Sequence, residues 1–385
     1  LSISLIIGLI IGYDVRLMKL FLYLGFNQFL ISFVLYLRSN LAGLHHFKTD
    51  SVMSVLDRSF MIIIASLLLW SSWAPEKLDV IWFVYAQTIS YSLQALVVFI
   101  VVMSKMESLK MKWSLPFSMM ILKKSFPFAI LVLLMTFYNR VDTVMLERML
   151  PNGAEQSGIY AQAYRLLDSV NMLAFLFAGL LLPMFSRMLK YRESIEPLVK
   201  LAFTLLITPA IVIAAGCFFY SEELIGMLYV NHVHDSALVF RFLMMCFCAI
   251  STTYVFGTLL TANGNLRELN MMAFSGIIIN IALNFILIPY FQAEGAAVSS
   301  VITQMITAGL QIAIAQNKFK FKINFRLISR LIIFISGVVL INMLTKNIHP
   351  NWVINFLVMV GCSGTLALLI GLVSIKSAKR IMKYG

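Results

Sequence analysis

Charged residues are scarce in this sequence of 385 residues, and acidic ones are the scarcest. Only 12% of the side chains are charged, whereas 61% are hydrophobic and the mean hydropathy is +0.90. A soluble globular domain carries roughly 25% charged residues, so this composition excludes that class. The net charge is +13, but the basic residues stand in short clusters between apolar runs, as on the loops of a polytopic membrane protein. Nucleic-acid binding is therefore the weaker explanation of the positive charge.

Cysteine and histidine are also few, and their spacing indicates neither a metal site nor a disulfide framework. The four cysteines, Cys217, Cys246, Cys248 and Cys362, all lie in apolar runs. The two closest are spaced C-x-C, which is not a zinc-binding spacing. The paired histidines of two loops have no cysteine or carboxylate at ligand spacing. We therefore expect no metal and no organic cofactor, and we interpret the cysteines as small core hydrophobes.

Apolar runs of membrane-spanning length follow one another along the whole chain. A helical span needs about 20 residues. The sequence therefore predicts an all-α, polytopic membrane protein. Its twelve predicted spans lie near 1–12, 17–37, 51–73, 79–104, 126–149, 160–185, 201–220, 237–262, 269–290, 294–316, 327–345 and 352–375.

The connecting loops alternate in their content of lysine and arginine. Of the 30 basic residues, 21 lie in every second loop, namely 38–50, 105–125, 186–200, 263–268, 317–330 and the C-terminal tail. The intervening loops carry five. Because positive charge is retained on the cytoplasmic side, this asymmetry places the basic loops and the C-terminus in the cytoplasm.

The first predicted span is too short to cross a membrane alone, and an internal repeat suggests why. Aligned on Gly43 and Gly264, spans one to four resemble spans seven to ten. Spans five and six then have no upstream counterpart, so we expect two helices before Leu1 and about 14 in all. The expected division is an N-lobe at 1–104 without its first two helices, a cytoplasmic linker at 105–125, a six-helix C-lobe at 126–316, and a C-terminal helix pair with a basic tail at 317–385.

Three stretches carry a resemblance to a known family: "RVDTVMLERMLPNGAEQSGIYAQAYRLLDS", "LLLPMFSRM" and "LTANGNLRELNMMAFSGIIINIALNFILIPYFQAEGAAVSSVIT". They resemble the bacterial polysaccharide flippases of the Wzx-like branch, in the multidrug/oligosaccharidyl-lipid/polysaccharide exporter superfamily. The resemblance implies two helical lobes in the inner membrane with both termini cytoplasmic. It also implies transport rather than catalysis. The implied cargo is an undecaprenyl-diphosphate-linked oligosaccharide, moved to the periplasmic leaflet for cell-surface polysaccharide such as lipopolysaccharide or capsule.

The polar residues that end span five are the main candidates for substrate binding. A charge at membrane depth needs a partner or a water-filled cavity. Arg165 and Asp168 of the next span lie at a matching depth, so we expect Asp142 to contact Arg165. Arg140, with Asn139 beside it, would then face a cavity and bind phosphate through its planar fork. The alternative is that these four charges neutralise one another between helices, or that Arg140 extends to the membrane surface.

Further polar residues are candidates for substrate contact in other spans. Asn280 and Asn284 are spaced i, i+4, and Gln87 and Gln94 lie seven residues apart on one helix face. Interhelical hydrogen bonding would explain both stripes as well as sugar binding does. Arg58 lies near a helix end, where an interface anchor is the alternative to a substrate contact.

Two other functions compete with a flippase. A drug or cation antiporter of the same superfamily would favour unpaired acids in its cavity, whereas the two deep acids here each have an arginine close in sequence. A membrane polysaccharide polymerase or ligase would need a long periplasmic loop with catalytic acids, arginine or histidine, and the outer loops are short.

The energy source and the partners are open at this stage. The sequence shows no nucleophile–His–acid set, ATP-binding loop or metal motif. Transport would therefore draw on an H⁺ or Na⁺ gradient, the membrane potential or removal of the product. The implied partners are a lipid-linked oligosaccharide, membrane lipids, and a polysaccharide polymerase and glycosyltransferases.

The alternation of basic loops gives a topology that labelling can test. In a cysteine-free background, a single cysteine at Lys112 should be shielded from a membrane-impermeant thiol reagent in intact cells, and one at Asn231 should react. The reason is that the first position lies in a basic loop and the second in an acidic one. The reverse pattern, with both sites labelled equally after lysis, would invert the topology.

Overall fold

The computed structural model describes residues 15–43, 46–70, 79–105, 114–322 and 324–373. Within these ranges every regular element is an α-helix, which confirms the all-α fold class. Ten of the helical segments are long and apolar enough to cross a membrane. The expected short span at 1–12 and most of the basic tail lie outside the described residues.

The chain divides into two compact units, and the first is Leu1–Trp113. Its described helices pack α1 and α3 against α4 around a small apolar core. Gln94 is buried in this unit, and its Nε2 donates a hydrogen bond to the carbonyl oxygen of Met53 at 2.9 Å. The helices are α1 (Val15–Gly43), α2 (Phe47–Met53), α3 (Leu56–Trp70) and α4 (Val80–Lys105).

The second unit is Ser114–Gly385. Its first helix begins at Leu115, with Pro116 in the first turn, where the missing N–H of proline costs nothing. The second half of the expected linker is therefore helical. The helices are α5 (Leu115–Met149), α6 (Gly153–Lys190), α7 (Glu196–Phe219), α8 (Ser221–Leu228), α9 (Val233–Ala262), α10 (Leu266–Phe319), α11 (Phe325–Thr345) and α12 (Trp352–Leu369).

Helix α9 lies at the centre of this unit and packs against α6, α7 and α10. Its buried face includes Phe240, Leu243, Phe247 and Val255, which belong to the largest apolar core of the described residues. The C-terminal helix pair, α11 and α12, packs on α7 through a separate apolar core that contains Phe334. Large apolar side chains on the other faces are exposed, as expected where lipid replaces water.

Helix α10 contains two predicted spans joined by a sharp turn. At 54 residues it is far longer than one crossing needs, and Gln292 breaks it with φ 51° and ψ −128°. A Cβ atom on Gly295 would lie 2.4 Å from the carbonyl oxygen of Leu287, so the chain doubles back where only glycine fits. The predicted spans 269–290 and 294–316 therefore form a tight hairpin.

The turn between α5 and α6 is closed in the same way. A Cβ atom on Gly153 would lie 2.3 Å from the carbonyl oxygen of Glu147. The Oε1 atom of Gln156 accepts a hydrogen bond from the backbone N–H of Ala293 at 3.3 Å, which joins this turn to the turn in α10. The two hairpins are thus tied together at one end of the unit.

Candidate functional site

A cavity of about 790 Å³ lies inside the second unit, between α5, α6, α9 and α10. Most of its wall is apolar, with leucine, methionine and phenylalanine side chains. It extends from Asn139 and Tyr164 towards Leu182, Thr261 and Leu269, which are near the helix ends farthest from the two tight turns. The polar side chains of the wall are Thr136, Tyr138, Asn139, Tyr164, Asp168, Asn171, Thr253, Tyr254, Thr258, Thr261, Gln304, Thr307 and Gln311.

Arg140 stands at the edge of this cavity and pairs with one of its lining residues. Its Nη2 atom lies 2.8 Å from Oδ2 of Asp168, and its guanidinium carbon lies 4.8 Å from the ring centroid of Tyr164. The side chains of Arg140 and Asp168 are 59% and 44% exposed. An ion pair this open contributes about 0–1 kcal/mol. The pair orients the arginine without enclosing it.

Asp142, two residues further along, is buried and has only neutral partners among the described residues. Tyr160 donates its hydroxyl to Oδ2 at 2.8 Å, Ser300 donates to the same oxygen, and Asn284 donates Nδ2 to Oδ1 at 2.6 Å. Asn280 extends the network, since its Oδ1 accepts from Asn284 at 3.0 Å. We call these five residues the Asp142 cluster.

The expected contact between Asp142 and Arg165 is wrong. Arg165 is an exposed residue of α6, whereas the carboxylate of Asp142 points inward to α10 and to Tyr160. Matching depths along two helices did not fix the rotation of either helix about its axis, and rotation decides which side chains meet. The deep acid that does pair with an arginine is Asp168.

Asn280 and Asn284 are fully buried in the Asp142 cluster and do not line the cavity. Of the alternatives raised by the sequence, the structure therefore favours packing for this stripe. Gln94 likewise joins two helices of the first unit, and Gln87 contacts Tyr91 of its own helix through Nε2 at 3.2 Å. Gln94 thus contacts a second helix, whereas the hydrogen bond of Gln87 lies within α4.

Arg58 and Asn139 occupy contrasting positions. The Arg58 side chain is 75% exposed and lies 3.3 Å from the carboxylate of its neighbour Asp57. Asn139 lines the cavity, and its Oδ1 accepts a hydrogen bond from Nε2 of Gln304 at 3.2 Å. Of the polar residues selected from the sequence, Asn139 and Asp168 thus line the cavity. Arg140 forms an ion pair with Asp168.

Sequence reasoning missed the polar face of the second half of α10. Ser300, Gln304, Thr307 and Gln311 recur at helical spacing within an apolar run, the same pattern that identified Asn280. Three of these residues make contacts to α5 at successive turns: Ser300 to Asp142, Gln304 to Asn139, and Thr307 to Tyr138 at 3.4 Å. This polar seam joins α5 to α10 beside the cavity.

Several buried polar atoms of the cavity wall have no hydrogen-bond partner among the described residues. They are Oδ1 of Asn171, Oγ1 of Thr253, and both amide atoms of Gln311, whose side chain is 1% exposed. The Gln311 amide packs closely against Gly257, because a Cβ there would lie 3.1 Å from Oε1. A buried polar group without a partner costs about 1–3 kcal/mol, so these shielded atoms lower the stability of the cavity wall.

The partners of Asp142 can be tested by double-mutant cycles on the free energy of unfolding. Asp142→Asn and Tyr160→Phe should show a coupling energy of about 0.5–3 kcal/mol, because the two side chains share a buried hydrogen bond. Asp142→Asn combined with Arg165→Gln should be additive within about 0.5 kcal/mol. Coupling to Arg165 and none to Tyr160 would contradict the geometry of the cluster.

Comparison with known proteins agrees with this architecture. Residues 1–189 match the family described as "Polysaccharide biosynthesis protein". No curated protein matches the sequence. Among solved structures, the fold is similar to "Lipid II flippase MurJ, inward closed conformation", with a TM-score of 0.72 and 14% sequence identity, over 91% of this chain and 74% of that chain. At this identity the structural match shows the fold, and the family match, which covers just under half of the chain, supports the resemblance that the sequence motifs carry.

Proposed function

We propose that the protein is a flippase for an undecaprenyl-diphosphate-linked oligosaccharide. It would carry this lipid from the cytoplasmic to the periplasmic leaflet of the bacterial inner membrane by alternating access, for cell-surface polysaccharide biosynthesis. The match of residues 1–189 to the polysaccharide biosynthesis family supports the substrate class, and a protein named as a lipid II flippase has the same fold. The polysaccharide polymerase and glycosyltransferases that consume and supply such a lipid would be its functional partners.

The observation that carries this proposal is the cavity with its mixed apolar and polar wall. Sugars present hydroxyl groups that both donate and accept hydrogen bonds, and side chains with amide and hydroxyl groups, such as Asn139, Thr136 and Thr258, line the wall. The surrounding apolar side chains suit the carbon faces of sugar rings. The wall thus supplies the mixture of surfaces that a neutral oligosaccharide requires.

Arg140 is the proposed contact for the diphosphate. Its fork has five N–H donors, and one of its nitrogens is used by Asp168, so donors remain for a phosphate. Because the pair with Asp168 is exposed and weak, a dianionic group can compete for the same guanidinium. Tyr164 holds the guanidinium from its flat face while this exchange takes place.

The direction in which the cavity extends fits the proposed route. It runs from Asn139 towards Leu269, away from the turns at Gly153 and Gln292. The helix ends on that side adjoin the basic loops at 186–200 and 263–268, which the positive-inside rule assigns to the cytoplasm. Substrate would therefore enter from the cytoplasmic side, and the C-terminus would lie on that side too.

The Asp142 cluster supports coupling to a cation gradient. A buried carboxylate surrounded by neutral groups is costly unless a proton or a metal ion neutralises it. Asn284 has an Oδ1 atom without a partner in the described residues, which adds a neutral oxygen beside the carboxylate. Binding of H⁺ or Na⁺ here would change the hydrogen bonds to Tyr160 and Ser300, and hence the contacts of α5 with α6 and α10.

The competing functions fit the cavity less well. An antiporter for organic cations would place an unpaired acid in the cavity wall, but the acid there, Asp168, is paired with Arg140. A polymerase or ligase would need a nucleophile or general base against the substrate. In the described part of the wall, the ionisable groups are Asp168 and three tyrosines that serve in packing or in the arginine contact.

Transport into proteoliposomes tests the phosphate contact. Arg140→Lys should lower the initial rate of flipping of an undecaprenyl-diphosphate oligosaccharide by about ten-fold, because the charge is kept but a charge-assisted hydrogen bond is lost. Arg187→Lys is the matched control, since Arg187 lies exposed at the far end of α6 and should leave the rate unchanged. A normal rate for correctly folded Arg140→Ala would make Arg140 a structural residue and remove it from the proposal.

The same assay with an imposed gradient tests the coupling role. Wild-type protein should flip faster with a proton or sodium gradient than without one, and Asp142→Asn should give the same rate in both conditions, because the amide cannot take up the cation. Asp168→Asn should keep the response, since that acid is neutralised by Arg140. A preserved response in Asp142→Asn would exclude the cluster as the coupling site.

A further inference from the structure

A second, smaller pocket lies where three basic segments of the chain meet. It has a volume of about 380 Å³ and is formed by the end of α6 with the start of α7, the start of α11, and the residues that follow α12. It shares no lining residue with the cavity beside Arg140. The three segments belong to loops that the alternation of basic residues places on one side of the membrane.

Among the described residues, three cations and no acid line this pocket. They are Lys200 of α7 and Arg326 and Arg330 of α11. No ion pair neutralises any of them among the described residues, and Arg330 donates from Nη1 to the carbonyl oxygen of Gly371 at 3.3 Å. That bond orients Arg330 but leaves its charge unneutralised.

Acidic residues near the pocket in sequence do not change this balance. Glu193 and Glu196 lie in the same loop as the start of α7, yet neither lines the pocket or pairs with its cations. The C-terminal tail, which follows Leu372 directly, has four basic residues and no acidic one in its sequence. The net field at the pocket is therefore positive, and it favours an anion.

The rest of the lining indicates which kind of anion fits. Leu198, Leu201 and Leu327 form an apolar wall beside the cations, and Ser194 and Asn324 add polar groups. The Oδ1 atom of Asn324 accepts from the N–H of Leu327 at 3.0 Å, so its amide N–H₂ group is the part left to donate. Cations, amide and hydroxyl donors and an apolar wall together match a phosphate attached to a lipid, and suit a free inorganic ion less well.

We propose that this pocket binds the phosphate headgroup of a membrane-anchored anionic lipid. Lys200, Arg326 and Arg330 hold the phosphate, and the leucines contact the first carbons of the lipid. Basic pockets between transmembrane helices at the cytoplasmic surface are a known means of binding such headgroups. The chemistry is shared by anionic phospholipids and by polyprenyl phosphates, and the experiment below separates the two. The site stands independently of the transport route through the Arg140 cavity.

Native mass spectrometry on the purified, delipidated full chain tests the site. The probes are dioleoylphosphatidylglycerol, undecaprenyl phosphate and, as the zwitterionic reference, dioleoylphosphatidylcholine. Wild-type protein should bind one molecule of at least one anionic probe roughly ten-fold or more tightly than the reference, since basic residues near a membrane surface attract anionic headgroups. Preference for phosphatidylglycerol identifies a bulk phospholipid, and preference for undecaprenyl phosphate identifies a carrier lipid.

The pocket variant is Lys200→Gln with Arg326→Gln and Arg330→Gln, and it should lose the preference. The matched control removes three charges on the same side but outside the pocket, with Arg187→Gln, Lys320→Gln and Lys322→Gln, and should keep it. If the triple variant does not fold, Lys200→Gln with Arg326→Gln keeps the bond from Arg330 to Gly371 and should still weaken binding. Equal affinity of wild type for all three lipids, or equal loss in the control, overturns the site.

Discussion

One buried carboxylate determines how the helices around the cavity are arranged. Asp142 accepts hydrogen bonds from Tyr160 on α6 and from Asn284 and Ser300 on the two halves of α10. Inside a membrane, water cannot replace these donors, so each partner that is lost leaves an uncompensated polar group. The carboxylate therefore fixes the rotation of three helical segments about their axes. The rotation of α5 in turn directs Arg140 outward, towards Asp168 and the cavity wall.

The two pockets of the second unit differ in charge. The cavity wall is close to neutral, because its acid is paired and its other polar groups are amides and hydroxyls. The smaller pocket contains three cations that pair with no acid among the described residues. The two pockets therefore suit ligands of different charge.

Length and hydropathy were sufficient to predict the helical fold, because each crossing needs its own apolar run and little else in a membrane satisfies the backbone. The predicted spans from 17–37 onward agree with the helices, including the two that α10 unites. Depth along the helices correctly predicted that Arg140 and Asp168 lie at one level in the membrane, but it did not predict which charged residues form a pair. That choice depends on helix rotation, which a single sequence does not determine. The sequence could not predict the unpaired amide of Gln311 either, because only the packed structure shows which polar groups remain without a partner.

The two glycine-closed turns restrict how the second unit can change shape. Gly153 and Gly295 bring the backbones on either side of each turn almost into contact, and the bond from Ala293 to Gln156 connects the turns. Neither hairpin has slack at this end, so its two arms cannot slide past each other. The two arms can only rotate about the closed end, so their displacement grows with distance from the turns. Widening of the cavity must therefore be greatest near Leu182 and Leu269, and closing those tips is the least disruptive way to seal it.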